Sequence, residues 1–560
     1  MEERLPAFHP TPPAGSLAGA APRARRGQGR RVLLLLAAIA AQAALLKLTI
    51  HPRADGAFLT LPGGLFQPLL YLVLGFGLLL STRYAAVWQS LVDSARNHRW
   101  RRMLAPQLAS YALLAFCASR LLPTAFSAAP ALAWPVSAWW TMLLAVSVAL
   151  TCGFSLALVA PAAWWAQFAR REWKTLLLAC IFPLSHFIVY SLVVRSEDWL
   201  SGPTMAVVRF LLELAYDDVS MDFAAKVIGT SRFDVIIDHL CSGYEGIGMM
   251  TVFLIWYLHS FSRDFRFPPA LWLFPLAALA IWLSNCLRIA LLIGIGSSMS
   301  SEVAMDGFHA NAGWIFFIAV ALGMVALARR SAFLCRRAAP RGLVIDADNA
   351  LAIPLLAMLA ATLLTSAMES GFPWLYPVRM LATAAAIALL WPHLRPYLQL
   401  RFTPAALLPR LFPALAGLLV FLLWIALVPP SAAMDRAFSD SLFAAPAALS
   451  AAWIVMRIAG SSVVIPIAEE LAFRGYLPLL FRGGADAFRP GGPIHWPAFA
   501  ASSLLFGALH DAWLAGTLAG AAYYLVRQRS GRLSDSIVAH GTTNLLLCAY
   551  VLIDGRWSYW

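Results

Sequence analysis

Residues 143–159 read Leu-Leu-Ala-Val-Ser-Val-Ala-Leu-Thr-Cys-Gly-Phe-Ser-Leu-Ala-Leu-Val, without one charged side chain. A helix needs roughly 20 mostly apolar residues to cross the hydrocarbon core of a bilayer. Leu411–Leu427 has the same character, and Val32–Leu48 departs from it only in Gln42 and Lys47. Of the 560 residues, 61% are hydrophobic and 12% are charged, against about 45–50% and 25% in soluble domains. No soluble core of this size hides so much apolar surface. The expected fold class is therefore all-α: a polytopic transmembrane helical bundle, with two membrane domains and a small periplasmic segment.

The net charge is +14, and its distribution matters more than its size. Basic residues gather in short loops at Arg23–Arg31, Arg96–Arg102, Arg170–Lys174, Arg263–Arg266 and Arg329–Arg341. This is the positive-inside pattern of a membrane protein, and it argues against a nucleic-acid partner. The seven cysteines show no CxxC or Cys/His spacing, so neither a disulfide framework nor a zinc site is expected. Residues 1–31, rich in Pro, Ala, Gly and Arg, read as a disordered cytoplasmic arm. No small-residue cleavage site closes the apolar run that follows, so that run is expected to be the first span.

Eight spans are expected in the first half, near 33–50, 65–81, 104–123, 137–160, 175–194, 247–261, 269–292 and 313–328. A chain that starts inside returns inside at Arg329-Arg330, and each basic cluster falls on the cytoplasmic side. Residues 204–215 are too short for a span and carry Arg209 and Glu213; an interfacial helix is expected there. Residues 216–246 then lie on the periplasmic face, with a hairpin-like pattern at 227–237. A basic connector at 331–350 marks the domain boundary between 32–330 and 351–560. Seven apolar runs follow, near 351–367, 375–392, 411–428, 447–468, 496–511, 513–526 and 534–553.

Polar side chains at membrane depth are expensive, so each one is a functional hypothesis. Cys241 lies in Asp-His-Leu-Cys-Ser-Gly-Tyr-Glu-Gly before the span at 247, Arg288 in Ser-Asn-Cys-Leu-Arg-Ile, and His309 in Asp-Gly-Phe-His-Ala-Asn-Ala-Gly-Trp before the span at 313. The topology puts all three at the outer ends of consecutive helices. A thiolate beside a cation is a nucleophile for an amide carbonyl. A histidine can protonate the leaving amine, and an arginine can hold the oxyanion. Taken singly, each residue has a plainer explanation: a small buried thiol, a snorkelling arginine, a loop histidine. The strings Cys241-Ser242-Gly243 and Asn285-Cys286-Leu287-Arg288-Ile289, with His309 followed by Gly313-Trp314, resemble the exosortase/archaeosortase family over about residues 33–330. The resemblance implies a nucleophile at Cys241 with Arg288 and His309 as partners. It also implies exported protein substrates with a C-terminal sorting tail, held as a thioester and passed to an acceptor nucleophile.

In the second half, Glu469 and Glu470 are adjacent and Arg474 follows Glu470 by one turn. Residues at i,i+4 share a helical face, so Glu470 and Arg474 can pair while Glu469 turns away. His510 follows Phe506 by four residues, and Asn544 follows His540 by four. A glutamate and two histidines can activate water, and Asn544 can support an oxyanion. The same residue types also ligate metals or brace a bundle as an ion-pair network, although no HExxH helix is present. The ordered strings EExxxR, FxxxH and HxxxN resemble the CAAX-protease and bacteriocin-processing family over about residues 350–560. The resemblance implies that Glu469, His510 and His540 act on water beside Asn544, with Glu470 and Arg474 supporting. It implies no metal or other cofactor.

Both resemblances in order match the fused exosortase E/protease layout, associated with VPEID-like tails. The expectation is a multi-pass enzyme of a bacterial inner membrane, with membrane lipids as its surroundings. The rival classes are a transporter, for which inverted repeats are missing, and a protease carrying an inert second membrane domain.

Overall fold

The structure is a computed structural model that describes residues 84–121, 136–237, 243–336, 346–398, 407–482 and 494–560, with Gly492 and scattered positions between 31 and 42. Cys241, nearly all of the arm at 1–31, most of the spans expected at 33–50 and 65–81, and the centre of the connector at 331–350 lie outside the described residues.

The chain is a helical membrane protein. In order it forms α1 (Tyr84–Ser94), α2 (Arg101–Leu121), α3 (Val136–Val159), α4 (Ala162–Glu213), β1 (Ser220–Asp222), β2 (Val227–Gly229), β3 (Asp234–Ile236), α5 (Tyr244–Ser260), α6 (Leu273–Ser298), a π-helical turn (Val303–His309) and α7 (Ala310–Arg330). The second half adds α8 (Ile353–Ser366), α9 (Tyr376–Leu389), α10 (Trp391–Leu398), α11 (Leu407–Leu427), α12 (Ala432–Phe443), α13 (Ala447–Ala459), α14 (Ile465–Glu470), α15 (Leu477–Arg482), α16 (Trp496–Ala508), α17 (Trp513–Ser530) and α18 (Leu533–Asp554). Among the described residues, five helices are long and apolar enough to cross a membrane, and two bent pairs, α9–α10 and α11–α12, raise this to seven.

Two expectations need correction. The span at 175–194 and the interfacial helix at 204–215 are not separate, because α4 runs unbroken for 52 residues. Neither proline nor glycine interrupts it: Pro183, Gly202 and Pro203 all lie within the helix. At 1.5 Å per residue it extends about 78 Å, far more than one bilayer core. In addition, α6 continues to Ser298, past the expected end near 292. Two compact units emerge, residues 1–67 with 80–177 and residues 68–79 with 178–560. The division falls inside α4, and both candidate sites belong to the second unit.

Within that unit, α5, α6 and α7 share a core of Met250, Leu254, Leu273, Ala277, Ile281 and Met324. Small residues at Ala277, Ala321 and Ala328 allow the close helix approach that drives association in lipid. At one end, Arg329 donates to Tyr257 Oη at 2.9 Å and to Asp264 at 3.2 Å, tying α7 to α5 and the turn beyond it.

The extra turns of α6 carry the one small sheet among the described residues. It is antiparallel, in the order β1-β2-β3, with Ile228 opposite Val235. Ile228 and Ile237 pack with Ile289 and Ile293 of α6 and with Met205 and Val208 of α4. The buried hydroxyls of Thr230 and Ser297 bond at 2.7 Å, and Tyr216 Oη donates to the Gly294 carbonyl at 3.1 Å. At the hairpin tip, Ser231 donates its hydroxyl and its backbone N–H to Asp218, which holds that carboxyl below its ordinary range.

Thr230→Val should leave the Ser297 hydroxyl buried without its partner, a cost of about 1–3 kcal/mol. The expected readout is faster amide hydrogen exchange at 227–236, with exchange in α5 and α7 unchanged.

Candidate active sites

The first candidate site surrounds a cavity of about 200 Å³ lined by Arg288, His309, Asn285, Gly243, Gly313 and Trp314 among others. The chain enters α5 through Gly243, whose φ of +82° lies in the left-handed region that favours glycine. A Cβ there would meet the Asn285 side chain at 3.2 Å. Gly243 is therefore seated against α6 one turn before Arg288. The thiol expected to act, Cys241, is two residues earlier in the sequence and outside the described residues.

The placement of the other two residues differs from expectation. Arg288 is ten residues before Ser298, inside α6 and not at its end. His309 is the last residue of a seven-residue π-helical turn, not part of a loop. Wide turns of this kind are rare and are frequent at functional sites. Arg288 and His309 still meet at one level, because α6 runs on past that level beneath the sheet. A Cβ on Gly313 would lie 3.3 Å from an Arg288 Nη atom. His309 Nδ1 is buried and has no hydrogen-bond partner among the described residues.

The second candidate site is built on a helix interrupted twice. Between Ala447 and Arg482, π-helical stretches at Gly460–Val464 and Leu471–Tyr476 flank α14. Glu470 and Arg474 are each fully buried and pair at 2.9 Å. Arg474 also donates to the Gly520 carbonyl at 2.9 Å and lies over the Phe506 ring, 4.3 Å from its centroid. Removing two charges from water is costly unless both are well bonded, and the aromatic face adds a cation–π contact.

Glu470 has a second task. Its Oε1 also meets His540 Nδ1 at 3.1 Å. An ionised carboxylate only accepts, so His540 Nδ1 donates this bond and Nε2 is the nitrogen left for another partner. That Nε2 faces Glu469 Oε2 at 3.8 Å, too long for a direct hydrogen bond. Tyr523 stacks on the His540 ring at 4.7 Å and 17°.

His510, His540 and Asn544 line one cavity of about 210 Å³. His510 follows α16 by two residues. That helix has only 13 residues, about 20 Å, and the chain turns back into α17 just beyond it. His510 Nδ1 bonds the Phe506 carbonyl at 2.8 Å, and its ring tilts against Phe506 and stands edge-on to Trp424. Asn544 Nδ2 donates to the Ser461 carbonyl at 2.8 Å, which leaves one amide hydrogen for the cavity. Sequence reasoning missed Tyr523, Ser461 and Trp424. Each sits in an apolar run where nothing but the fold sets it beside a site residue, Tyr523 on His540, Trp424 on His510 and Ser461 on Asn544. Among the described residues, no three His, Cys, Asp or Glu side chains group as metal ligands.

Residues 69–326 match the Transmembrane exosortase family, and residues 450–546 match the Type II CAAX prenyl endopeptidase Rce1-like family. The chain is an exosortase–CAAX protease fusion. Curated proteins and solved structures gave no match. Both family matches identify this fusion as a multi-pass membrane protease and sorting enzyme. Residues 327–449, which include α8–α12, lie in neither match.

Arg474→Ala should strand the Glu470 charge in the bundle and cost about 3–5 kcal/mol. Asn544→Ala, which removes one bond to a carbonyl, should cost about 1 kcal/mol. Thermal unfolding of the detergent-solubilised protein would rank the two.

Proposed function

We propose that residues 32–330 form a cysteine transpeptidase and residues 351–560 a glutamate-type intramembrane endopeptidase, joined by a cytoplasmic connector at 331–350. The substrates are exported proteins of a bacterial inner membrane that end in a sorting tail, a Pro-Glu or VPEID-like motif followed by one span and a basic end. The observation that carries this reading is the double gathering of side chains: Arg288 with His309 around one cavity, and His510, His540 and Asn544 around another, with Glu469 against His540.

In the first reaction the Cys241 thiolate attacks the amide carbon. Arg288 supports the oxyanion. The C–N bond breaks as His309 protonates the amine, which leaves a thioester. An acceptor nucleophile then attacks the thioester and returns the thiolate. In the second half, water enters between Glu469 and Nε2 of His540. One of them takes its proton as the oxygen adds to the carbonyl. The oxyanion meets the free amide hydrogen of Asn544, with His510 across the same cavity, and collapse expels the amine with the transferred proton. Glu470 orients the His540 ring through Nδ1, and Arg474 pairs with Glu470. One half sorts the substrate, and the other trims that substrate or its released tail.

Coexpression with a tagged tail-bearing reporter tests this division by intact mass. Cys241→Ala should remove the first cut and any adduct at the new C-terminus. Glu469→Gln should leave that cut and abolish the second. Each loss should reach roughly three orders of magnitude in rate, the scale for removing a nucleophile or base. Normal processing by both variants would refute the proposal.

A further inference from the structure

His540 and His309 are held in different ways. A carboxylate fixes His540, as is usual for a working histidine. No such partner meets His309 Nδ1 among the described residues. The placement of His309 must then come from its backbone, the π-helical turn Val303–His309. A rare backbone form persists only where its surroundings fix it.

Those surroundings lie in the second half of the chain. Gly307 is buried, and a Cβ on it would come within 2.3 Å of the Glu369 carbonyl oxygen and 3.2 Å of the Ser366 carbonyl. Nothing larger than glycine fits. Beside it, Ala304, Phe308 and Ala312 pack with Ala367 and Leu292. The surface that receives the turn is itself tied down. Arg379 on α9 donates to Thr365 Oγ1 at 2.6 Å, to Ser366 Oγ at 3.3 Å and to Glu369 Oε2 at 2.6 Å. The other Glu369 oxygen accepts from the Leu375 N–H. This cluster closes the α8–α9 turn and holds the Glu369 carbonyl where Gly307 meets it. The segment falls outside both family matches.

We propose that the Thr365–Glu369 turn, locked by Arg379, is a positioning element for His309, so that the cysteine site is completed from the other half of the chain. Glu369, Arg379 and Gly307 are positioning residues that act through the π-helical turn. This inference rests on the reading of Cys241, Arg288 and His309 as a reacting set.

The test needs no substrate. Full-length protein in detergent is alkylated with iodoacetamide across a pH series, and labelling at each cysteine is read by peptide mass spectrometry. Arg288 faces the cavity from α6, the Glu369–Arg379 pair faces the π-helical turn from the α8–α9 connection and α9, and Asp306 on the π-helical turn is exposed. With His309 in place, the labelling midpoint of Cys241 should lie below an ordinary thiol near about 8.5. Gly307→Ala, Glu369→Gln and Arg379→Gln should each raise it toward the midpoint of His309→Ala, by up to about one unit. The sign is diagnostic for Glu369→Gln. Loss of a carboxylate by electrostatics alone would favour the thiolate and lower the midpoint. Cys286 and Cys335 are buried, and their continued protection reports an intact fold. Glu369→Gln, nearly unchanged in volume, carries the test if Gly307→Ala exposes them. If His309→Ala leaves the Cys241 midpoint in place, the reading of the site fails. If His309→Ala moves it but Glu369→Gln does not raise it, this inference alone is overturned.

Discussion

One carboxylate oxygen of Glu470 accepts from Arg474 and His540 together, and the second half of the chain is arranged around that shared contact. Hydrocarbon supplies no water to satisfy a stray charge, so the bundle must complete its own polar pairs. Arg474 spreads the load by reaching the Gly520 carbonyl and the Phe506 face. Three helical segments, α14, α17 and α18, are thereby locked at one level. The two π-helical stretches on either side of α14 let an otherwise regular helix bring Glu469 and Glu470 to His540.

The two halves solve the same problem by different means. In the protease half, hydrogen bonds orient the working side chains: Glu470 holds His540, and the backbone carbonyls of Ser461 and Phe506 hold Asn544 and His510. In the exosortase half the geometry is carried by backbone. Gly243 enters α5 in a left-handed conformation against Asn285, and the Gly307 backbone lies flush with a carbonyl from another segment. A polar network tolerates small shifts by re-bonding. A backbone contact without a side chain between does not.

Much of this was legible in the sequence because it depends on short spacings. The helical class follows from uncharged runs such as 143–159. The Glu470–Arg474 contact follows from a separation of one turn, and the 227–237 pattern reads as the hairpin that β2 and β3 form. The failures share a cause as well. Arg209 and Glu213 look like an interfacial helix, yet the two residues pair with each other at 2.6 Å on the end of α4. The continuity of a helix through Gly202 and Pro203 is decided by packing, not by local preference. The π-helical turn at His309 and the depth of Arg288 depend on contacts more than a dozen residues away, and no spacing rule reports those. Gly307 looks like an ordinary small residue until Glu369 is beside it.

The shortness of α16 has a consequence for the lipid as well as for the protein. Thirteen residues rise about 20 Å, while the hydrocarbon layer is about 30 Å thick. A bilayer that meets so short an apolar wall thins around it. By that rule, headgroup hydration would come closer to His510, two residues past the end of α16, than at the end of a full-length span. A hydrolytic reaction buried among lipids could then draw its water from a dimple in the membrane surface, without a channel through the protein.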